Sequence, residues 1–184
     1  MRNKLKVTLH AAMAFVIVAA LGYFSAAQRP ELPNDAKFAL QHFLDVDCEL
    51  NEQGEALNRF LTFKAVLEPQ LIAVLRDGPD KQTLDETQRS LEEQWNQREA
   101  YLRKNPDMSG LKENELQIVK GLTRDVFISQ GRERIIRKYR EKSAIGLAAI
   151  GSPEAIKTLH EVGDKGDEAL RTVIQAALEK YQKK

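Results

Sequence analysis

The sequence predicts an all-α protein of 184 residues. Apolar residues recur every three or four positions through most of the chain, which is the spacing of one face of an α-helix. Glycine and proline stand between these segments, at residues 77–79 (DGP) and 151–153 (GSP), where they are suited to end one helix and begin the next. No stretch of four or more residues between turns alternates apolar and polar side chains, as a half-buried strand would. We therefore expect helices only.

The N-terminal 27 residues have the composition of an export segment. Three basic residues precede residues 11–24, which are uncharged and mostly apolar, and small residues follow at 25–27. This pattern predicts a signal peptide that is cleaved after Ala27. The alternative is a signal anchor that holds residues 11–27 in the inner membrane, since 17 residues approach the roughly 20 that span a bilayer. In both cases we expect the remaining chain to lie outside the cytoplasm, in the periplasm or secreted.

The rest of the chain is predicted to be a short linker and one helical domain. Residues 28–34 form the linker, with two prolines, and residues 35–184 form the domain. Cys48 is the only cysteine, so no internal disulfide is available and the fold depends on its core. Cleavage after Ala27 leaves 25 Lys and Arg against 27 Asp and Glu. This near-neutral balance argues against nucleic acid as a partner.

Three helices are predicted in the N-terminal half of the domain. The first pattern covers residues 36–44, and the second covers residues 57–65 after an acidic turn around Gly54. Pro69 is predicted to open a third, short helix, because proline fits the first turn of a helix. Gly78 is predicted to end it.

A long charged helix is predicted over residues 84–104. Thr83 and Glu86 have the spacing of a capping box at its start, and Pro106 follows its end. Its sparse apolar residues fall on one narrow stripe, and they are Leu84, Leu91, Trp95 and Leu102. In the helix that comes next, Gly131 is predicted to cause an interruption or a kink.

The C-terminal residues 144–181 read as three helices joined by a GSPE turn and a GDKGDE turn. The apolar faces of such short helices need further layers to stack on. The motifs AIGSPEAIKTL and EALRTVIQAAL make this stretch resemble a HEAT-type repeat of the short bacterial kind. The resemblance implies a short α-α superhelix, in which Asp164 and Arg171 stabilise the turn and link neighbouring repeats. Ile174 stands where the family has alanine, which indicates an atypical or terminal repeat.

Residues 57–79 look like a second, looser copy of the same helix pair. Together the two HEAT-like pairs cover about a third of the chain. The alternative is an irregular helical bundle without true repeats.

No motif in the sequence predicts catalysis, a cofactor or a metal. An EF-hand loop starting at Asp45 fails at its sixth and twelfth positions, which are Leu50 and Ala56. Zinc needs three or four nitrogen or sulfur ligands, and beyond the export segment the chain offers only His42, His160 and Cys48. The nucleophile elbow of hydrolases and the phosphate-binding P-loop are both absent. We expect no enzyme.

The most distinctive charged feature is residues 132–142 (RERIIRKYREK), with six basic residues against two acidic ones. One interpretation is a core helix with a solvated basic face. The other is a docking surface for an acidic partner, and its candidate contact residues are Arg134, Arg137, Lys138 and Arg140, with Trp95 as an aromatic anchor. The acidic residues 45–55 are candidates to meet the basic ones, within the fold or in a neighbouring molecule.

These observations favour an exported, non-catalytic helical scaffold that mediates protein–protein interaction in the cell envelope. Its partner is then another envelope protein. The alternative is a membrane-anchored helical module whose basic helix binds anionic lipid or envelope polymer.

Overall fold

The computed structural model describes residues 32–45, 50–105 and 121–182. These residues form seven α-helices and no strand, which confirms the all-α prediction. The helices are α1 (Asn34–Asp45), α2 (Leu50–Leu61), α3 (Lys64–Asp77), α4 (Lys81–Lys104), α5 (Arg124–Ile150), α6 (Pro153–Lys165) and α7 (Glu168–Gln182). The predicted export segment, the first four residues of the predicted linker and Cys48 lie outside the described residues.

Helix α5 is the centre of the fold, because it contacts each of the other six described helices. Its C-terminal half packs with α1, α2, α3, α6 and α7 around one apolar core. The largest apolar side chains without solvent exposure are Phe60, Leu67, Leu71, Leu75, Leu147 and Leu159. A Cβ atom on Gly146 would lie 2.7 Å from the Leu71 side chain, so the absence of a side chain lets α3 and α5 approach closely.

Helix α4 is placed differently, because within the described residues it contacts only α5. We call α4 and residues 124–134 of α5 the arm. The other described helices, with residues 135–150 of α5, are the body. No helix among the described residues combines the length and the apolar composition needed to cross a membrane.

Two predicted helix boundaries in the N-terminal half were wrong. Gly54 lies inside α2 rather than in a turn, and Pro69 lies inside α3, which begins five residues earlier. Burial explains both, since tertiary packing overrides local propensity. A helix that runs through Pro69 places Leu67 and Leu71 on one fully buried face. The turn between α2 and α3 lies instead at residues 62–63.

The arm also differs from the prediction at two positions. Asp80, not Thr83, caps α4: its carboxylate accepts a hydrogen bond of 2.8 Å from the Thr83 backbone N–H, and the helix begins at Lys81. Helix α5 continues without a break through Gly131. A Cβ atom there would lie 2.6 Å from the Leu91 side chain, so this glycine serves the close approach of α4 rather than a kink.

The predicted ends of α3 and α5 and the predicted start of α6 are confirmed, whereas the predicted turn over residues 163–168 is shorter, because α6 continues through Gly163 to Lys165. Gly78 ends α3 and Gly151 ends α5, both with positive φ, at 84° and 69°. Ser152 caps α6 by accepting a hydrogen bond from the Ala155 N–H, and Pro153 takes the first helical position. The Ser152 hydroxyl also donates to the carboxylate of Glu68, which ties the start of α6 to α3.

Candidate docking surface

One predicted contact residue, Lys138, is bound within the fold. Its Nζ donates to the backbone carbonyl of Asp45 at the end of α1, at 2.8 Å. Beside it, the Tyr139 hydroxyl donates to the Asp45 carboxylate at 2.7 Å, and the Gln41 amide donates to both groups. Burial, together with hydrogen bonding to the negative Asp45, raises the pKa of Tyr139 above its ordinary range. Asp45, the first residue of the acidic stretch, therefore meets the basic helix inside the protein.

Two further basic side chains of α5 contact neighbouring helices. Arg132 donates to the Gln88 side-chain oxygen on α4. The Lys142 Nζ lies 6.0 Å from the centre of the Phe43 ring, at the outer limit of a cation–π contact. Arg132 therefore holds α5 against α4, whereas Lys142, like Lys138, holds α5 against α1.

Arg134 and Arg137 are the accessible pair of the basic run. Both side chains are exposed. Within the part of the chain that the structure describes, neither takes part in a hydrogen bond or an ion pair. Because they are three residues apart on one helix, they lie on the same face of α5.

Arg140 is half-buried between two open clefts. Its Nε donates to the carbonyl of Leu75 in the last turn of α3, at 2.9 Å. The cleft toward α7, which we call the α7 cleft, has a volume of about 260 Å³ and is lined by Glu133, Ile136, Arg137, Arg140, Asp167 and Leu170. The cleft toward α6, the α6 cleft, has a volume of about 270 Å³ and is lined by Arg76, Arg140, Glu161, Val162, Lys165 and Gly166.

The two clefts have apolar floors and rims of both charges. Ile136 and Leu170 supply the apolar area of the α7 cleft, and Val162 supplies that of the α6 cleft. Four cationic side chains line the two clefts against three carboxylates. Such a lining suits a ligand that carries apolar and charged groups side by side.

Trp95 lies in the seam between α4 and α5. Its exposed fraction is 9%, its ring centre is 5.7 Å from that of Phe127, and the Arg98 guanidinium lies 4.4 Å from its ring centre. A residue buried in this way stabilises the arm, and it is not presented at the surface beside Arg134 and Arg137.

Arg171 binds the turn between α6 and α7. Its Nε donates to the Gly163 carbonyl at 3.1 Å, and its Nη2 donates to that of Gly166 at 3.5 Å. Asp164 is exposed, and the residue that caps α7 is Asp167, whose carboxylate accepts from the Leu170 N–H at 2.8 Å. Asp167 was not among the predicted residues, although an Asp directly before a helix is a recognisable capping signal.

A metal-binding cluster of three or more His, Cys, Asp or Glu side chains does not occur among residues 32–45, 50–105 and 121–182. His42 instead stacks on Phe38, with ring centres 5.9 Å apart. The guanidinium of Arg59 lies 4.8 Å from the centre of the same Phe38 ring.

In comparisons with known proteins, no family model matched the chain, and neither the curated proteins nor the solved structures gave a significant match.

Proposed function

We propose that this protein is an exported, non-catalytic helical scaffold that binds a segment of another envelope protein across α5, at the α6 and α7 clefts. The observation that carries the proposal is the exposed pair Arg134 and Arg137. Both lack a partner among the described residues, and Arg137 borders a cleft with an apolar floor. An arginine in this setting offers a planar fork that binds carboxylates through two parallel hydrogen bonds.

The charges of the clefts favour a polypeptide over an anionic membrane or polymer. A surface that recognises anionic lipid presents clustered Lys and Arg. Here Glu133 and Asp167 line the same cleft as Arg137, and they would repel a uniformly negative surface. A protein segment can place an acidic group at Arg137 and a basic or polar group at the carboxylates.

The helix pairs α2–α3 and α6–α7 support a HEAT-like scaffold as the second part of the proposal. Each pair is joined by a turn of only two residues, at 62–63 and 166–167. Arg171 binds the turn of the second pair, and Ser152 links α6 to Glu68 on α3. Stacked pairs of this kind offer one continuous face for recognition. The export pattern of residues 1–27 supports the envelope as the place of action.

The proposal is tested by site-specific photo-crosslinking in cells, with the full chain and a photoreactive residue at exposed Ala169 or Thr172, which border Arg137. We expect a discrete crosslinked protein that disappears in the double variant Arg134→Glu and Arg137→Glu. The matched control is Arg89→Glu with Arg103→Glu, two exposed arginines on α4.

Two outcomes contradict the scaffold proposal. One is a crosslink that both double variants leave unchanged. The other is the absence of any crosslink together with binding to vesicles of anionic lipid that the Arg134 and Arg137 changes abolish, which would favour the membrane-binding alternative.

A further inference from the structure

The α6 cleft contains more positive charge than its own carboxylate can neutralise. It lies where the end of α3, the middle of α5 and the end of α6 meet, and among the described residues that line it Glu161 is the only acidic one. The Glu161 carboxylate is already bound by Arg76 at 3.1 Å and approached by Lys157 at 3.8 Å. Arg140 and Lys165 remain, and neither forms an ion pair within the described part of the chain.

Arg140 is held in a fixed position for binding. Its Nε donates to the Leu75 carbonyl, and this bond orients the planar guanidinium. Its two terminal nitrogens donate to no acceptor among the described residues. A half-buried, oriented guanidinium loses little conformational entropy when it binds a carboxylate, and partial exclusion of water strengthens the interaction.

Three acceptor groups beside the cleft are bound within the fold. Two helix C-termini end here, and such ends carry about half a negative charge each. One carbonyl at each end is bound by a backbone N–H: the Gly78 N–H binds that of Val74, and the Gly166 N–H binds that of Val162. Asp167, on the far side of Arg140, caps α7 through the Leu170 N–H.

The wall of the cleft depends on a small residue at the end of α6. A Cβ atom on Gly166 would lie 2.9 Å from the Val162 carbonyl oxygen, so a side chain there would force the turn to shift. Val162 supplies the apolar part of the wall. The cleft therefore combines an oriented guanidinium, an exposed ammonium and an apolar wall, and this combination suits a carboxylate on a short aliphatic stem.

We infer that the α6 cleft is an oxyanion site in which Arg140 and Lys165 bind a carboxylate group. The identity of that carboxylate as an acidic side chain of the docked segment rests on the proposed function; the site itself does not. Arg140 binds through its terminal nitrogens, and Lys165 closes over the second oxygen.

The direct test uses the full chain labelled with ¹⁵N and titrated with acetate. Because the Arg140 N–Hε is hydrogen-bonded, its NMR signal is suited to report on binding. We expect saturable shifts of this signal with a dissociation constant in the millimolar range. Lys165→Gln is expected to weaken binding about threefold to fivefold, as the loss of one exposed charge implies. Lys104→Gln is the matched control, because Lys104 is likewise an exposed lysine that ends a helix.

Two further titrations distinguish loss of carboxylate binding from loss of the fold. Arg140→Lys keeps the charge but removes the fork, and we expect it to lose acetate binding while the protein stays folded. Because this variant lacks the Arg140 N–Hε, its titration is followed on the backbone N–H signal of Gly166, which lines the cleft. Inorganic phosphate is titrated in parallel. Binding of phosphate without acetate, no saturable shift with either ion, or equal weakening by Lys104→Gln and Lys165→Gln would overturn the inference.

The crosslinking experiment distinguishes this inference from the proposed function. Loss of the crosslink in Lys165→Glu as well as in the Arg134 and Arg137 variant supports both. If the crosslink survives Lys165→Glu and is lost only with Arg134 and Arg137, the scaffold proposal stands and the carboxylate of the partner does not enter the α6 cleft. Acetate binding without any crosslinked partner would support the carboxylate site and contradict the scaffold proposal.

Discussion

The body and the arm consist of the same kind of element, but they are held together in different ways. In the body, all the other helices pack with α5 around one shared core. In the arm, Trp95 and Ile128 are the only buried apolar side chains among the described residues, and neither belongs to that core. The body is therefore expected to unfold as a unit, and the arm is expected to open locally.

On the outer face of α4, pairs of polar side chains stabilise the helix where burial does not. Pairs four residues apart link successive turns of the helix, and they are Lys81–Asp85, Gln82–Glu86 and Glu93–Gln97. Each such pair contributes about 0.2–0.5 kcal/mol to an isolated helix. Local pairs keep α4 helical, whereas its attachment to α5 depends on one narrow apolar seam and on polar contacts of Arg132 with Gln88 and of Arg124 with Glu92.

The largest expected effect is the loss of a body leucine. Leu71 has no solvent exposure and packs against Gly146, so Leu71→Ala removes buried methyl groups from a site with little freedom to collapse. We expect a loss of about 3 kcal/mol in the free energy of unfolding, measured by urea denaturation. Leu91→Ala, at a half-buried leucine of the arm, is the comparison and should cost less than half as much. Equal losses would mean that arm and body share one core.

Removal of the arm tryptophan should produce a local effect. Trp95→Ala empties the seam against Phe127, and we expect about 2 kcal/mol to be lost from the local stability of the arm. Hydrogen exchange should then become faster in α4 while α3, α6 and α7 keep their protection. Trp95→Phe, which retains an aromatic ring, serves as the control. Faster exchange throughout the body would contradict a separate opening of the arm.

Two glycines of α5 allow the comparison within a single helix. A Cβ atom would lie 2.7 Å from Leu71 at Gly146 and 2.6 Å from Leu91 at Gly131. In the body, Leu71 and the neighbouring Phe43 are fixed by the core, so Gly146→Ala should lower the free energy of unfolding by about 1–3 kcal/mol. In the arm, Leu91 is half-buried and free to shift, and alanine gains about 1 kcal/mol of helix propensity over glycine.

We therefore expect Gly131→Ala to be nearly neutral. The measurement is thermal and urea unfolding of both variants beside the wild type. Equal destabilisation by the two substitutions would show that the arm seam is as rigid as the core.

The sequence predicted the helices of this fold wherever local signals and packing agree. The stripe through Trp95 and the end of α4 at Lys104 followed from spacing and from the proline after it. Gly54 and Pro69 were assigned to boundaries because both residues are unfavourable inside a helix. Their helices continue because the burial of neighbouring apolar residues outweighs a local cost of about 1 kcal/mol for glycine and 3 kcal/mol for proline.

The candidate site was predictable only as a list of basic residues. Spacing could not distinguish Arg137, which is exposed at a cleft, from Lys138, which binds Asp45 at the end of α1. Arg140 binds the Leu75 carbonyl, 65 positions earlier in the chain, and no local pattern records such a contact. Lys165 lines the α6 cleft because α6 packs beside α3 and α5, and the sequence does not show this packing.

An effect smaller than those of Leu71→Ala and Trp95→Ala depends on pH and again separates the body from the arm. Burial and the Asp45 carboxylate raise the pKa of Tyr139, while the unfolded chain keeps the ordinary tyrosine value of about 10. Near pH 10 and above, the unfolded state loses the phenolic proton and the folded state retains it. The unfolded state then binds fewer protons, so the contribution of Tyr139 to stability is complete below pH 10 and is lost as the pH rises further.

Tyr139→Phe removes this ionisation together with the hydrogen bond to Asp45. At pH 8 we expect the variant to be less stable than the wild type by about 1 kcal/mol, the usual net value of one hydrogen bond. The difference should shrink as the pH approaches about 10.5, because only the wild type continues to lose stability through this group. Urea unfolding at each pH measures it, with Tyr101→Phe as the control, since that phenol is 64% exposed in the arm. A difference between wild type and Tyr139→Phe that stays constant with pH would mean that the Tyr139 hydroxyl ionises equally well in the folded body and in the unfolded chain.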